Sequence, residues 1–147
     1  MALWIDSYIE DKIVFAQEEM VRQGIKLLSK SKKDHIMVVG LNVVMEKLFV
    51  KAHADGIDFT VLVVDTSPRF QGRELVKRLS SQGIDCKYTL IQGVSALINK
   101  TTKLFVGASY VLGNGGVVSE MGTSMVSYIA NQHKVPVIAF CETYKFT

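Results

Sequence analysis

A loop of polar and charged side chains, DTSPRFQGR at positions 65–73, has the clearest chemical potential in the sequence, and it follows a run of apolar residues. Pro68 holds the residue before it in an extended conformation. The pattern after it predicts a helix beginning near Gln71 and Gly72, whose first N–H groups would point back at the loop and favour an anion there.

Two arginines lie close to the predicted helix start, at Arg69 and Arg73. The positive end of a helix dipole disfavours a cation by about 0.5 kcal/mol unless an anion offsets it. The segment therefore predicts a phosphate or a carboxylate partner. The alternative is that both arginines pair with Asp65, with Glu74 or with water.

Other patterns of reactive residues are missing. The three histidines have no metal-ligand spacing, and no Ser-His-Asp arrangement can be assembled, so we predict neither a metal site nor a catalytic triad. Cys86 and Cys141 each fall within an apolar run, which predicts buried, reduced thiols. A dinucleotide site would need the G-x-G-x-x-G pattern after the first strand. The segment at 40–45, GLNVVM, has one glycine, and GNGGVV at 113–118 is better interpreted as a turn that opens a helix. We predict no cofactor.

Along the chain, short apolar runs typical of strands alternate with longer segments whose apolar residues recur with the period of a helix. Gly56 and Gly83 separate several of them. Most of the predicted strands are nearly continuous in apolar character, and helices separate them. This pattern predicts a parallel sheet covered on both faces. The fold class is therefore α/β, a Rossmann-like fold of about five strands with an N-terminal helix. The predicted strands are 35–40, 58–65, 84–91, 103–108 and 135–141, and the predicted helices are 3–28, 42–55, 71–81, 94–100 and 117–133.

The 147 residues predict a single domain, made of the helix at 3–28 and the α/β unit at 35–147. Because a parallel sheet rarely stops directly after a strand, we expect a truncated or unusually short C-terminus. In such a sheet, ligands bind at the carboxyl ends of the strands. Together with the resemblance described below, this gives a candidate crevice formed by Gly40, Asp65, Arg69, Gln71, Gly72, Arg73, Ser109, Asn114, Gly115 and Thr123.

Composition excludes several classes of protein. Hydrophobic residues make up 48% of the chain, which suffices for a packed core, and the net charge of +3 is too small to predict DNA binding. No apolar stretch reaches the about 18 residues of a membrane span, and acidic residues interrupt the N-terminus where a secretory signal would lie. We expect a cytoplasmic protein that binds neither DNA nor membrane.

The helix predicted at 117–133 presents a broad apolar face. Such breadth suits a subunit interface, although methionine and tyrosine are also common in protein cores. Both interpretations stay open for Met121, Met125, Tyr128 and Ile129.

Four blocks of sequence resemble a known family. VVDTSPRFQGR at 63–73, VGASYVLGNGG at 106–116, MGT at 121–123 and CETYKF at 141–146 are similar, in the same order, to signature blocks of the regulatory subunits of eukaryotic translation initiation factor 2B and of the related sugar-phosphate isomerases. The last block is most similar to the delta type.

The isomerases of this family use a cysteine after the first strand and an aspartate in a Gly-Ala-Asp motif. The matching positions here are Gly40 and Ser109, which supply neither a thiol nor a carboxylate base. A lysine of the family that holds the sugar phosphate corresponds to Glu120, so a cation has become an anion. These departures predict a chain that keeps the fold of the enzymes without their reaction.

The resemblance implies a non-catalytic, delta-like regulatory subunit of the guanine-nucleotide exchange factor for initiation factor 2. Its implied partners are alpha-like and beta-like subunits and initiation factor 2 itself, whose phosphorylation it would help to sense. The alternatives are a sugar-phosphate isomerase and a protein that binds a small anion, a sugar phosphate or a nucleotide.

Overall fold

The computed structural model describes the backbone from Ile9 to Thr147 and the side chains from Lys12 onward. A π-helical turn, Ile9–Val14, leads into the first α-helix. The helices are α1 (Phe15–Lys26), α2 (Val43–Ala54), α3 (Gly72–Ser81), the short α4 (Val94–Leu97) and α5 (Thr123–Gln132). The strands are β1 (Asp34–Val39), β2 (Phe59–Asp65), β3 (Asp85–Leu90), β4 (Lys103–Gly107), β5 (Tyr110–Val111), β6 (Val117–Val118) and β7 (Val137–Phe140). Short 3₁₀ turns flank α4 and follow β7.

Five of the strands form one parallel sheet in the order β3-β2-β1-β4-β7. In the register of the central strand β1, Val38 pairs with Val63 on one side and with Phe105 on the other. This arrangement confirms the predicted α/β fold with five parallel strands. None of the helices in the described part of the chain is long and apolar enough to cross a bilayer.

The central strands are buried on both faces, which explains their continuous apolar character. Alternate residues of β1 enter two separate clusters: Ile36 and Val38 pack with α1, α2 and α3, whereas Met37 packs with α4 and α5. In the first cluster the rings of Phe49 and Phe105 stack with their centroids 6.4 Å apart. The two-layer core thus fixes the positions of the strand ends that form the crevice.

The predicted N-terminal helix is confirmed over its described part, while positions 3–8 lie outside the described residues. Helix α1 contacts α2 through Val21 and Gly24, both of which are buried. An added Cβ at Gly24 would overlap the side chains of Leu48 and Phe140, so this glycine allows the close approach of the helix to the core.

The helix predicted at 117–133 is wrong in its first third. Strands β5 and β6 form an antiparallel hairpin there, Gly115 turns with a φ of 81°, and α5 begins only after Gly122, which has a φ of 90°. Valine favours strands through its branched Cβ, and glycine supplies the positive φ of a tight turn. Consequently Gly116 starts no helix.

The two edge strands of the sheet are less buried than predicted. Both cysteines are free, as expected, but they are half-buried and not buried as predicted. Burial raises the pKa of Cys86 to about 11, which makes its thiol unreactive at neutral pH. In β7, Val137 and Ala139 are exposed, which leaves apolar surface on that edge uncovered.

Candidate functional site

A crevice of about 240 Å³ lies at the carboxyl ends of β1 and β2. The loop after β2 forms one wall, and the connection from β6 to α5 contributes Glu120 and Met121. Four residues of the predicted crevice line this space, namely Gly40, Asp65, Arg69 and Gln71.

Asp65 ends β2 and holds the loop that follows. Its side chain is buried, and its Oδ1 accepts a hydrogen bond from the Thr66 N–H at 3.0 Å. The Tyr88 hydroxyl donates to the Asp65 Oδ2 at 3.0 Å. A Cβ at Gly72 would overlap the carboxyl group of Asp65, so this glycine lets α3 start directly against it. Asp65 and Gly72 therefore shape the crevice wall.

The two arginines occupy different surroundings. Arg69 lines the crevice, whereas the guanidinium group of Arg73 lies over the Phe70 ring, 5.1 Å from its centroid, and its Nε donates to the Tyr88 hydroxyl at 3.4 Å. Among the described side chains, neither arginine forms an ion pair with Asp65 or Glu74. Glu74 pairs instead with Arg78, at 2.9 Å. Only Arg69 is thus placed to face a ligand in the crevice, and the binding of a small anion stays a prediction.

Glu120 is the crevice residue that sequence reasoning placed only by comparison, as a replaced cation. Its Oε2 lies against the backbone of Gly40, where a Cβ at that position would overlap it. Partial burial raises the pKa of the Glu120 carboxyl above its ordinary value; attraction to Arg69 opposes this rise, and repulsion by Asp65 adds to it. The contact joins the end of β1 to a segment far along the chain, so no local sequence signal could have revealed it.

A smaller cavity of about 120 Å³ adjoins the crevice and shares Glu120 with it. Ser109 lines this cavity beside Lys145, whose Nζ pairs with Glu142 at 2.6 Å. The Ser109 backbone N–H donates to the Val118 carbonyl at 2.7 Å, so the residue is tied to the hairpin. Its hydroxyl is the only polar group that its side chain offers to this space.

Five predicted site residues line neither cavity: Gly72 and Arg73 at the start of α3, and three residues of the β5–β6 hairpin and of α5. Asn114 and Gly115 form the exposed tip of the β5–β6 hairpin, where the Asn114 Oδ1 accepts from the Gly116 N–H at 2.9 Å. Thr123 is buried at the start of α5, with its Oγ1 3.2 Å from the Ser119 hydroxyl. The fold therefore does not bring these three into contact with the crevice.

The predicted interface residues follow one side of α5 and the segment before it. Met121, Met125 and Tyr128 are 74%, 50% and 66% exposed, whereas Ile129 is half-buried and packs against the core. Next to them, an open groove of about 760 Å³ runs between α5, β6 and the exposed residues of β7. Ile129 thus belongs to the core, and the other three form an exposed apolar surface.

Comparison with known proteins decides the family. Residues 3–147 match the model of the initiation factor 2 subunit family. The chain belongs to that family. It is 37% identical over 143 residues to the translation initiation factor eIF2B subunit delta of Schizosaccharomyces pombe, a match that covers 97% of this chain and 30% of the relative. This chain therefore spans less than a third of that curated relative.

A solved structure and an enzyme are similar as well. A chain in the crystal structure of the tetrameric eIF2B-beta2-delta2 complex from C. thermophilum superposes with a TM-score of 0.91 at 28% identity, covering 99% of this chain and 46% of that one. The ribose 1,5-bisphosphate isomerase of Pyrococcus furiosus is 36% identical over 95 residues, which covers 65% of this chain and 29% of the enzyme. Initiation factor subunits and an isomerase are thus both similar to this chain.

Proposed function

We propose that this chain is a delta-type regulatory part of the cytoplasmic guanine-nucleotide exchange factor for translation initiation factor 2, and that it acts by contact with other subunits. The observation that carries the proposal is the 37% identity to an eIF2B delta subunit across 97% of the chain. The partners would be beta-like and alpha-like subunits and initiation factor 2.

The chemistry of the crevice supports a role without catalysis. Gly40 stands where the related isomerases have their cysteine, and Ser109 stands where they have their aspartate. Neither side chain provides a nucleophilic thiolate or a general base at neutral pH. Glu120 also adds a negative charge beside the space that a sugar phosphate would occupy. An isomerase function is therefore not favoured.

The exposed apolar surface of Met121, Met125 and Tyr128 supports a role in assembly. Large apolar side chains that cluster in the open are costly for an isolated protein and are common in subunit interfaces. The adjoining groove along β7 extends the same surface. We assign subunit contact to this side of the domain.

Co-purification tests the proposal. The protein at its natural length, tagged and expressed in its own cells, should retain beta-like and alpha-like initiation factor 2B subunits in amounts close to its own. The purified complex should not convert ribose 1,5-bisphosphate above the uncatalysed rate. Retention of none of these subunits, or turnover that is lost when a crevice residue is changed, would contradict the proposed function.

A further inference from the structure

The backbone around Glu120 is held from several sides, which fixes the point from which its side chain extends. The Ser119 hydroxyl donates to the Gly107 carbonyl, and the Thr123 N–H donates to the carbonyl of Glu120 itself at 3.2 Å. One residue further, the Thr66 hydroxyl lies 3.5 Å from the Met121 carbonyl. The connection between β6 and α5 is therefore tied both to β4 and to the crevice loop.

Gly122 presses the same connection against the crevice loop. A Cβ at this position would overlap the side chains of Thr66 and Ile91, and the φ of 90° is one that other residues rarely adopt. The connection between β6 and α5 therefore packs directly against the crevice loop, and a side chain at position 122 would prevent this contact. Glu120 consequently reaches into the crevice, and it lines both the main cavity and the smaller one beside it.

Gly40 leaves the space that Glu120 uses. The residue has a φ of 65°, and its N–H donates to the Val64 carbonyl at 2.8 Å, which fixes it at the end of β1. Because it has no side chain, the Oε2 of Glu120 can approach its backbone closely. The two residues are complementary in shape, one supplying a gap and the other filling it.

The charges in the crevice oppose an incoming anion. Asp65 and Glu120 contribute two carboxylates, while Arg69 contributes the one guanidinium group among the residues that line the main cavity. Arg69 and Glu120 attract each other, although the described ion pairs do not include a direct contact between them. A phosphate ion would have to compete with Glu120 for this arginine and would meet the repulsion of both carboxylates.

We propose that the Glu120 carboxylate is the built-in anion of this crevice: it fills the space beside Gly40, attracts Arg69 and excludes phosphate-sized anions from outside. Glu120 is in this sense a residue that determines specificity by exclusion. The sequence predicted a phosphate or carboxylate partner for Arg69 near the start of α3. In this proposal, the protein's own Glu120 is that carboxylate. This proposal concerns the ligand selectivity of the crevice and does not depend on subunit assembly.

The test compares binding of inorganic phosphate to the full-length protein and to two variants with the same change in charge. Glu120→Gln removes the carboxylate from the crevice, and Glu18→Gln removes one from the exposed surface of α1. Isothermal titration with phosphate at constant ionic strength should show at least about tenfold tighter binding for Glu120→Gln than for the wild type, a change of about 1.4 kcal/mol. Glu18→Gln should behave like the wild type.

A further variant assigns the binding to Arg69. The double variant Glu120→Gln/Arg69→Gln should lose the phosphate binding that Glu120→Gln gains. Thermal unfolding of each variant checks that it is folded, and Glu120→Ala serves as a second way to remove the carboxylate. Equal phosphate binding by wild type and Glu120→Gln, no gain in either Glu120 variant, or an equal gain in Glu18→Gln would each overturn the proposal.

Discussion

The carboxylate of Glu120 lies against the backbone of Gly40, in the space that a side chain at position 40 would occupy. The pair joins the end of β1 to the connection between β6 and α5. Any side chain placed at position 40 would bring its Cβ into collision with Glu120.

A double-mutant cycle measures this contact. Gly40→Ala should lower the free energy of unfolding by about 1–3 kcal/mol, because the positive φ strains alanine and the added Cβ overlaps Glu120. In the Glu120→Ala background the cost should fall by about 1 kcal/mol, since the strain remains and the overlap is gone. Urea unfolding of the four proteins provides the values. An equal cost in both backgrounds would show that the two residues do not interact.

The stability of the protein should depend on pH through Glu120. Partial burial and Asp65 raise its pKa above the ordinary value of 4.5, with Arg69 opposing, so folding favours the protonated form. The stabilisation is complete below the unfolded-state pKa and is lost as the pH rises through the folded-state pKa. Glu120→Gln should therefore gain stability relative to the wild type as the pH is raised from acid to neutral. A difference in unfolding free energy that stays constant over this range would contradict the assignment.

Asp34 should show the opposite dependence. Burial raises its pKa, but hydrogen bonds from Lys103, Ser29 and Thr102 outweigh this effect and leave the pKa lowered. The Lys103 Nζ lies 2.8 Å from the Asp34 Oδ2. The stabilisation is present above the unfolded-state pKa and is lost as the pH falls through the folded-state pKa. Asp34→Asn should lower the free energy of unfolding by about 1–3 kcal/mol at neutral pH and by less in acid. Urea unfolding at both pH values measures the two losses. An equal loss at both would contradict the lowered pKa of Asp34.

The start of α2 depends on Asn42. Its Oδ1 accepts hydrogen bonds from the N–H groups of Val44 and Met45 at 2.9 and 3.2 Å. Asn42→Ala should lower the unfolding free energy by about 1 kcal/mol, because it leaves these donors without their cap. Asn42→Asp keeps the accepting oxygen and is the matched control. Chemical denaturation that ranks the aspartate variant no higher than the alanine variant would argue against the cap.

Most of the sheet could be predicted from the sequence because its information is local. The central strands are runs of apolar residues, and each predicted strand agrees with the observed one to within about two residues. The start of α2 was predicted to within one residue, because the apolar residues of that segment follow the period of a helix. Such features depend on neighbours along the chain.

The β5–β6 hairpin and the role of Glu120 were beyond this reasoning for different reasons. Val117 and Val118 fit the apolar pattern of a helix as well as that of a short strand, and only pairing with β5 selects the strand. Glu120 acquires its position from contacts with residues distant in sequence, Gly40 above all. Periodicity and motif spacing carry no information on such contacts. Four of the predicted residues line the main cavity, and Glu120, which lines it as well, was not among the predicted ones.

The proposed function requires association through the exposed surface of Met121, Met125 and Tyr128. Sedimentation velocity of the full-length protein mixed with the beta-like subunit of its own species tests this association most directly. Met125→Asp is the variant and Val43→Asp is the control. Both side chains are 50% exposed, but Val43 lies at the start of α2, away from the proposed interface. We predict a stable complex for the wild type and for Val43→Asp, and at least about tenfold weaker association for Met125→Asp, since burying an unpaired charge is costly. A wild-type protein that sediments alone at all concentrations, or a complex that Met125→Asp leaves unchanged, would contradict the account.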